Sequence, residues 1–262
     1  MNILEQIIQQ KKTEVAKRKE KIPVAVLRTT DFYKRKCISL LKGLMEPGST
    51  GIIAEYKRKS PSKGIINDVS QLEEVVSAYE QYGAAGISVL TDEQFFGGSI
   101  NDLHQARNTV NRPLLRKDFM IDEYQLEEAK AMGADVILLI AAVLTATRVQ
   151  QLAAYAVNLG LEVLLELHDE TELNRVCDET VLVGINNRNL KTFEVNIEHS
   201  IRLAEKIPSG KIKIAESGID APETIALLRK NGFSGFLVGE HFMKQPSPAK
   251  AFKHFIEQII KT

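Results

Sequence analysis

The sequence of 262 residues has no tryptophan, only two cysteines and no excess of charge of either sign. Lys plus Arg and Asp plus Glu both total 34, which argues against a protein dedicated to nucleic acid or a membrane surface. Cys37 and Cys177 form no CxxC pair, so we expect reduced thiols. No apolar run approaches the ~20 residues that span a bilayer. The N-terminus MNILEQIIQQKK lacks the apolar core of a signal peptide, so we expect a cytoplasmic protein.

Eight short apolar runs follow one another from about residue 51, each leading into polar or glycine-rich residues and then a helical stretch. Continuous apolar strands are typical of a parallel sheet covered by helices. The runs are 51–55, 86–90, 113–115, 134–140, 162–167, 181–185, 211–215 and 235–238. The spacing predicts helices between them, for example over 125–132 and 145–159. Glycines suited to helix C-termini stand at Gly83, Gly133, Gly160 and Gly232.

Eight strands and eight helices in strict alternation indicate either a closed barrel or a doubly wound open sheet. No GxGxxG or GxxxxGK[ST] motif follows the first strand, which favours the barrel. We therefore expect an α/β fold, a (β/α)8 TIM barrel over about 49–262 preceded by a helical extension over about 1–48, in a single domain.

The extension belongs to no repeat. Ile3, Leu4, Ile7 and Ile8 give one apolar helical face, and a second helical stretch is predicted around 40–45. Between them lies the basic run KKTEVAKRKEK, which we interpret as a solvated helix face rather than a nucleic-acid contact. The extension is either a lid over the active site or simple structural cover, and the sequence favours neither.

Charged residues end several apolar runs, at the edge where chemistry lies in such barrels. Glu55 and Lys57 are two apart and both point into the barrel mouth, while Lys117, Glu166 and Glu216 follow other runs. Five charges from four strands favour catalysis over a purely structural ion network. Burial lowers a lysine pKa, so we expect a lysine acid and a glutamate base, without metal or organic cofactor.

Glycines mark a possible phosphate site. Gly218 and Gly239 stand in adjacent loops after the seventh and eighth runs, the recurring phosphate position of these barrels, and Ser60 can add a donor. Phe95 and Phe96 are either core packing or an apolar wall for an aromatic substrate. The five histidines, His168 among them, lack metal-ligand spacing and are interpreted as packed or surface residues.

Eight segments together resemble indole-3-glycerol phosphate synthase over essentially the whole chain. They are EYKRKSPSKG, SVLTDEQFFGGS, LLRKDFMIDEYQ, GADVILLIAAVL, VLLELHDETEL, GINNRNLKTFEV, AESGI and FLVGEHFM. The motifs E-x-K-x-x-SPS-x-G and L-x-KDF are specific to that family. The resemblance implies a lyase of tryptophan biosynthesis that closes the ring of 1-(2-carboxyphenylamino)-1-deoxyribulose 5-phosphate with loss of carbon dioxide and water.

The resemblance also implies roles for individual residues. Lys117 becomes the general acid, Glu166 the general base or proton relay, and Lys57 a partner of the substrate carboxylate or a second acid, with Glu55 holding it. Further implied contacts are Asn186 and Arg188 for the carboxylate and hydroxyls, Glu216 and Ser217 for the glyceryl side, Ser60, Gly218, Gly239 and the Glu240 backbone for the phosphate, and Phe96, Phe119 and Leu138 for the anthranilate ring. Which lysine protonates which oxygen stays open.

One departure from the family pattern is His241, where a small residue is expected after VGE; we expect it to face away from the phosphate. Two rival functions are weighed. A phosphosugar isomerase such as phosphoribosylanthranilate isomerase needs fewer cations than Lys57, Lys117 and Arg188 supply, and a catalytically silent barrel has no need of Lys117 or Glu166. We expect a monomer that acts on a phosphorylated small molecule.

Overall fold

The computed structural model describes residues 2–189 and 192–261, so Leu190 and Lys191 of the GINNRNLKTFEV motif lie outside the described residues. Eight parallel strands form a closed barrel in chain order, with the last strand paired to the first. They are β1 (Ile52–Tyr56), β2 (Gly86–Leu90), β3 (Leu114–Lys117), β4 (Val136–Ile140), β5 (Glu162–Leu167), β6 (Leu182–Asn186), β7 (Ile212–Glu216) and β8 (Phe233–Val238). The predicted barrel is confirmed, and each strand overlaps its predicted run.

In the described part of the chain, four α-helices precede the barrel and nine follow its first strand. They are α1 (Ile3–Lys21), α2 (Val24–Leu27), α3 (Asp31–Lys34), α4 (Leu40–Met45), α5 (Leu72–Gln81), α6 (Glu93–Phe96), α7 (Ile100–Thr109), α8 (Glu123–Ala131), α9 (Ala146–Asn158), α10 (Ile197–Lys206), α11 (Pro222–Lys230), α12 (Glu240–Met243) and α13 (Pro248–Lys261). The four glycines predicted at helix C-termini all have positive φ. A two-stranded hairpin, Lys59–Ser60 with Gly64–Ile65, lies in the first loop.

The prediction of strict alternation is wrong at one connection. A 3-10 helix, Glu170–Arg175, joins β5 to β6 in place of an α-helix, and a further 3-10 turn, Ala141–Val143, follows β4. The Asp169 side chain caps the connecting helix by accepting from the Thr171 N–H at 2.8 Å. The Glu172 carboxylate bends back to accept from the His168 N–H at 2.7 Å, which tightens this turn.

The barrel interior is built in layers from alternate strands, as expected for this fold. Ile53, Leu115, Leu164 and Ile214, from the four odd-numbered strands, are buried in one apolar cluster. Because side chains on a strand alternate in direction, the inward positions two residues further along are Glu55, Lys117, Glu166 and Glu216. The strand pattern thus places four charged side chains directly above an apolar layer.

The helical extension contacts both ends of the barrel. Leu40 and Leu44 of α4 pack into the apolar cluster beneath the strands, while Ile7 of α1 belongs to the same cluster at the carboxyl end, beside Phe119. In the described part of the chain, no helix combines the length and apolar character needed to cross a membrane.

Candidate active site

One cavity of about 240 Å³ opens at the carboxyl ends of the strands. Its wall contains all the residues predicted for the site, which come from every part of the barrel. They are Glu55, Lys57, Ser60, Phe96, Lys117, Phe119, Leu138, Glu166, Asn186, Arg188, Glu216, Ser217, Gly218, Gly239 and Glu240. The wall also includes Ile3, Leu4, Phe193 and Lys244, which the sequence reasoning did not select as site residues.

The charged layer forms the floor of this cavity. Lys117 Nζ lies 3.2 Å from Glu166 Oε2 and 3.3 Å from Glu216 Oε2, so one ammonium group bridges two carboxylates. Lys57 Nζ lies 2.7 Å from Glu55 Oε1. All three glutamates are buried. Buried charges require partners, and here two ammonium groups face three carboxylates.

The pKa of Lys117 is raised, and the prediction of a lowered value is wrong. Burial works to lower this pKa, but the carboxylates of Glu166, Glu216 and Glu55 outweigh burial and raise it well above its ordinary value. The sequence reasoning took account of burial and of a second lysine near Lys117. It could not identify the carboxylates that surround the Lys117 ammonium group.

Glu216 titrates close to neutrality. Burial is the main reason that the pKa of its carboxyl rises to about 7; Lys117 opposes this rise, while Glu166 and Glu55 reinforce it. Glu216 can therefore exchange a proton near pH 7. Its protonation removes one of the three carboxylates that raise the pKa of Lys117, and so makes Lys117 a stronger acid.

Glu166 is held by three side chains. Lys117 faces Oε2, while Asn186 Nδ2 donates to Oε1 at 2.9 Å and His168 Nε2 lies 3.0 Å from Oε1. Burial works to raise the pKa of Glu166, but Lys117 and His168 together hold it well below its usual range. The interpretation of His168 as a packed or surface residue missed this ion pair; its spacing of two from Glu166 was the available signal. Among residues 2–189 and 192–261, no group of three or more His, Cys, Asp and Glu is arranged to hold a metal ion.

Two glycines make room for the buried carboxylates. A Cβ at Gly184 would lie 2.2 Å from Glu216 Oε1, and a Cβ at Gly239 would lie 2.7 Å from Glu55 Oε1. Gly184 stands opposite Glu166 in the β5–β6 register. Sequence reasoning missed Gly184, because a glycine within an apolar run carries no sign of the side chain that packs over it.

Aromatic and aliphatic residues form one side of the cavity. The rings of Phe96 and Phe119 lie 6.0 Å apart between centroids, and Leu138 lines the same cavity. Phe95 and Phe96 both pack against the apolar cluster of the barrel interior, and Phe96 also lines the cavity. Of the two interpretations left open for this pair, packing therefore applies to both residues and a place in the cavity wall to Phe96.

Helix α1 covers the cavity. Ile3, Leu4 and Ile7 line it, so the apolar face predicted for this helix meets the substrate space. This geometry matches a lid more closely than structural cover remote from the site. The α1 side chains that line the cavity are all aliphatic.

The interpretation of the basic run as a solvated helix face is wrong for Lys11, which is 0% exposed. Its Nζ lies 2.8 Å from both Asp92 Oδ2 and Asp118 Oδ1. Helical periodicity explains the burial, because Lys11 shares the inward face of α1 with Ile7 and Val15. Lys11 thereby attaches α1 to the residue that follows Lys117 in the chain.

The opposite side of the cavity holds the predicted phosphate contacts. Ser217 and Gly218 both have a left-handed φ of 67°, which is uncommon for serine and typical of strained functional loops. Gly239 follows β8, and the Ser60 hydroxyl lies 3.4 Å from that of Ser62. Helix α12, after Gly239, has only four residues, so its N-terminus adds little positive potential to this side of the cavity.

Arg188 and His241 border the same side. The Arg188 guanidinium donates to the Phe193 carbonyl at 3.1 Å and lies 3.5 Å from Glu240 Oε2. The expectation that His241 faces away from the phosphate stays a prediction. Its ring packs against Phe255 with centroids 5.1 Å apart, yet the residue also lines the cavity.

Comparisons of this sequence with known proteins indicate one family. The model of the family "Indole-3-glycerol phosphate synthase" matches residues 4–255. A protein of that name from Bacteroides thetaiotaomicron is 46% identical over 258 residues, 98% of this chain and 99% of that protein. Another, from Dechloromonas aromatica, is 45% identical over 251 residues, 94% of this chain and 96% of that protein.

Among solved structures, the tryptophan synthase A-subunit from Pyrococcus furiosus has a TM-score of 0.61 at 15% identity, covering 82% of this chain and 99% of that one. This likeness concerns the fold alone. The near full-length matches in sequence decide the family: this chain belongs to the indole-3-glycerol phosphate synthases.

Proposed function

We propose that the charged layer of this indole-3-glycerol phosphate synthase closes the indole ring, with Lys117 as general acid and Glu166 as general base. The observation that carries this assignment is the position of Lys117 between Glu166 and Glu216, on the floor of a cavity with an apolar and a polar side. The enzyme is a carboxy-lyase of tryptophan biosynthesis, and its substrate is a phosphorylated small molecule.

The proposed reaction begins with attack of the aryl carbon that bears the carboxylate on the ribulose carbonyl carbon. Lys117 protonates the carbonyl oxygen as the carbon–carbon bond forms. Carbon dioxide then leaves, and its bonding electrons return to the ring. Lys57, as the second acid, protonates the new hydroxyl, which departs as water, and Glu166 accepts the proton that the adjacent ring CH2 loses as the indole forms. General acid–base steps of this kind contribute typically ~10²–10⁴-fold each.

Protonation of Glu216 adjusts the acid strength of Lys117. When all three glutamates are ionised, the raised pKa makes Lys117 a weak proton donor. Glu216 takes up a proton near pH 7, which leaves fewer negative charges around the ammonium group. We propose that this exchange, rather than burial alone, brings Lys117 into a useful range.

The remaining roles follow the two sides of the cavity. We propose that Lys57, held by Glu55, pairs with the substrate carboxylate, because its ammonium group lies at the cavity floor and is partly accessible. Asn186 and Arg188 position the carboxylate and hydroxyls. Ser217 lies beside Glu216 on the glyceryl side. Phosphate contacts are assigned to Ser60, Gly218, Gly239 and the Glu240 backbone, and anthranilate contacts to Phe96, Phe119 and Leu138.

We further propose that the chain works as one domain, with α1 as a lid, and as a monomer in the cytoplasm without nucleic-acid or membrane partners. The balanced charge of the sequence supports the absence of a polyanionic partner. Light scattering of the purified protein at micromolar concentration tests the monomer, and a mass of two chains would contradict it.

The test of the acid is Lys117→Ala, assayed by indole fluorescence with the carboxyphenylamino-deoxyribulose phosphate. The chain has no tryptophan, so the indole signal rises from a low background. We expect kcat to fall roughly 10²-fold or more, the usual scale for a general acid. Lys63→Ala, which changes an exposed lysine in the first loop, is the matched control and is expected to retain activity.

Near-normal turnover in Lys117→Ala would remove the residue from its role. Binding of substrate by the wild-type protein without any indole product would exclude the synthase reaction, and phosphoribosylanthranilate would then be the next substrate to assay.

A further inference from the structure

A histidine lies behind the proposed general base. His168 Nε2 is 3.0 Å from Glu166 Oε1, and the His168 side chain is only 10% exposed. On the far side of the ring, His168 Nδ1 is 3.7 Å from Oε2 of the buried Glu172. The three side chains therefore form a buried row that leads from the cavity floor outward.

The local sequence fixes this row. His168 follows Glu166 by two residues, so its ring lies on the same side of the chain as the Glu166 carboxylate. The 3-10 helix that starts at Glu170 turns the chain so that Glu172 accepts from the His168 N–H at 2.7 Å. From α10, His199 Nε2 lies 3.0 Å from the His168 carbonyl oxygen. The backbone that carries the ring is thus held from both sides.

We propose that His168, supported by Glu172, is a positioning residue that orients Glu166 for proton transfer. Asn186 and His168 both contact Oε1, which leaves Oε2 directed at Lys117 and the substrate space. Because two groups hold Oε1, the Glu166 carboxylate cannot rotate away from Lys117. This inference rests on the role proposed for Glu166.

Three carboxylates lie near His168. They are Glu166 on β5, Glu172 on the 3-10 helix and Asp169, which caps that helix, while the contact from α10 is His199. Burial works to lower the pKa of His168, but the two glutamates outweigh burial and raise it to about 10. His168 is therefore cationic at neutral pH. Its charge counteracts the effect of burial on Glu166, so its loss must raise the pKa of that carboxyl.

Two substitutions separate charge from packing. His168→Gln retains a donor for Glu166 Oε1 without the positive charge, whereas His168→Leu removes both. We expect kcat to fall about tenfold in His168→Gln, equivalent to about 1.4 kcal/mol, and further in His168→Leu, with KM little changed. The acidic limb of the kcat/KM profile should move to higher pH in both variants, because that limb reports the free enzyme's base. The exposed His254→Gln on α13 is the matched control.

A second arm tests whether His168 acts through Glu166. In the Glu166→Gln background, His168→Gln should add almost no further loss, since residues that act as a unit are not additive. Glu172→Gln should lower kcat by a smaller amount, because the His168 ring loses its support at Nδ1, which provides a test should His168→Leu fail to fold. An unchanged kcat and pH profile in His168→Gln, while Glu166→Gln is impaired, would overturn the proposal. Full activity of Glu166→Gln would instead refute the proposed role of Glu166.

Discussion

Glu162 and Glu166 lie on the same strand, at opposite ends of the barrel, and their carboxylates are held in different ways. Glu162 Oε2 accepts from the backbone N–H groups of Leu40 and Leu41, at 2.9 and 3.0 Å. These groups lie at the start of α4, where the helix favours negative charge. Within residues 2–189 and 192–261, Glu166 is instead held by side chains, those of Lys117, Asn186 and His168.

The difference separates a structural carboxylate from a proposed catalytic one. Backbone N–H groups cannot change protonation state or move independently of the fold, so the Leu40 and Leu41 donors hold the Glu162 carboxylate in one position. The ammonium and imidazolium groups around Glu166 can exchange protons and reorient. Burial of a carboxylate in a barrel is therefore weak evidence of catalysis, and the chemical nature of its donors is stronger evidence.

The largest contrast is expected between Glu166→Gln and Glu162→Gln, which make the same change at the two ends of one strand. Glu166→Gln should lower kcat roughly 10²-fold or more, because a glutamine accepts no proton. Glu162→Gln should leave kcat near the wild-type value but lower the free energy of unfolding by about 0.3–1 kcal/mol, because the negative charge at the start of α4 is lost while the amide oxygen still accepts from Leu40 and Leu41. Indole fluorescence and urea unfolding measure the two effects. A similar loss of kcat in both variants would contradict the distinction.

A smaller contrast is expected between two glycines of the barrel strands. Gly184→Ala places a Cβ against Glu216 Oε1, whereas Gly235→Ala places one 2.7 Å from Ile214 Cγ1, near Leu44 of α4. Misplacement of a catalytic group by ~1 Å can cost ~10²-fold, so we expect Gly184→Ala to lower kcat about tenfold. Gly235→Ala should lower the melting temperature while kcat is retained.

Retained kcat in Gly184→Ala would show that Glu216 tolerates displacement, and would weaken its link to Lys117. Calorimetry of both variants separates a loss of activity from a loss of fold. Each glycine lacks a positive φ, so steric contact rather than backbone strain is the variable tested.

Strand positions were predictable because buried parallel strands have continuous apolar sequences. The period of two within a strand was enough to place Glu55 and Lys57 on one side of the barrel mouth. Fold topology then determined which strand ends meet, so Lys117, Glu166 and Glu216 could be assigned to one rim before any distance was known.

Partners across the fold were not predictable from local pattern. In the sequence, Lys11 is one residue of a basic run. Its burial is possible because Asp92 and Asp118, in the loops of the barrel, pair with its ammonium group. The raised pKa of Lys117 has the same origin, because it depends on carboxylates from three other strands. The sequence does not indicate a role for His168, because Glu166 and Glu172 both lie near its ring only after the 3-10 helix turns the chain.

The most direct check on the charged layer is the pH dependence of stability at Glu216. Its pKa is about 7 in the folded protein, against 4.5 as the ordinary value. Between these values the unfolded chain releases a proton that the folded protein keeps, so stability falls as pH rises through this window. Glu216→Gln keeps the shape of the side chain and cannot ionise. The melting temperature of Glu216→Gln relative to wild type should therefore rise between about pH 4.5 and about pH 7 and stay level above it. Calorimetry across this range measures the difference, and a constant difference would show that Glu216 ionises in the folded state as readily as in the unfolded chain.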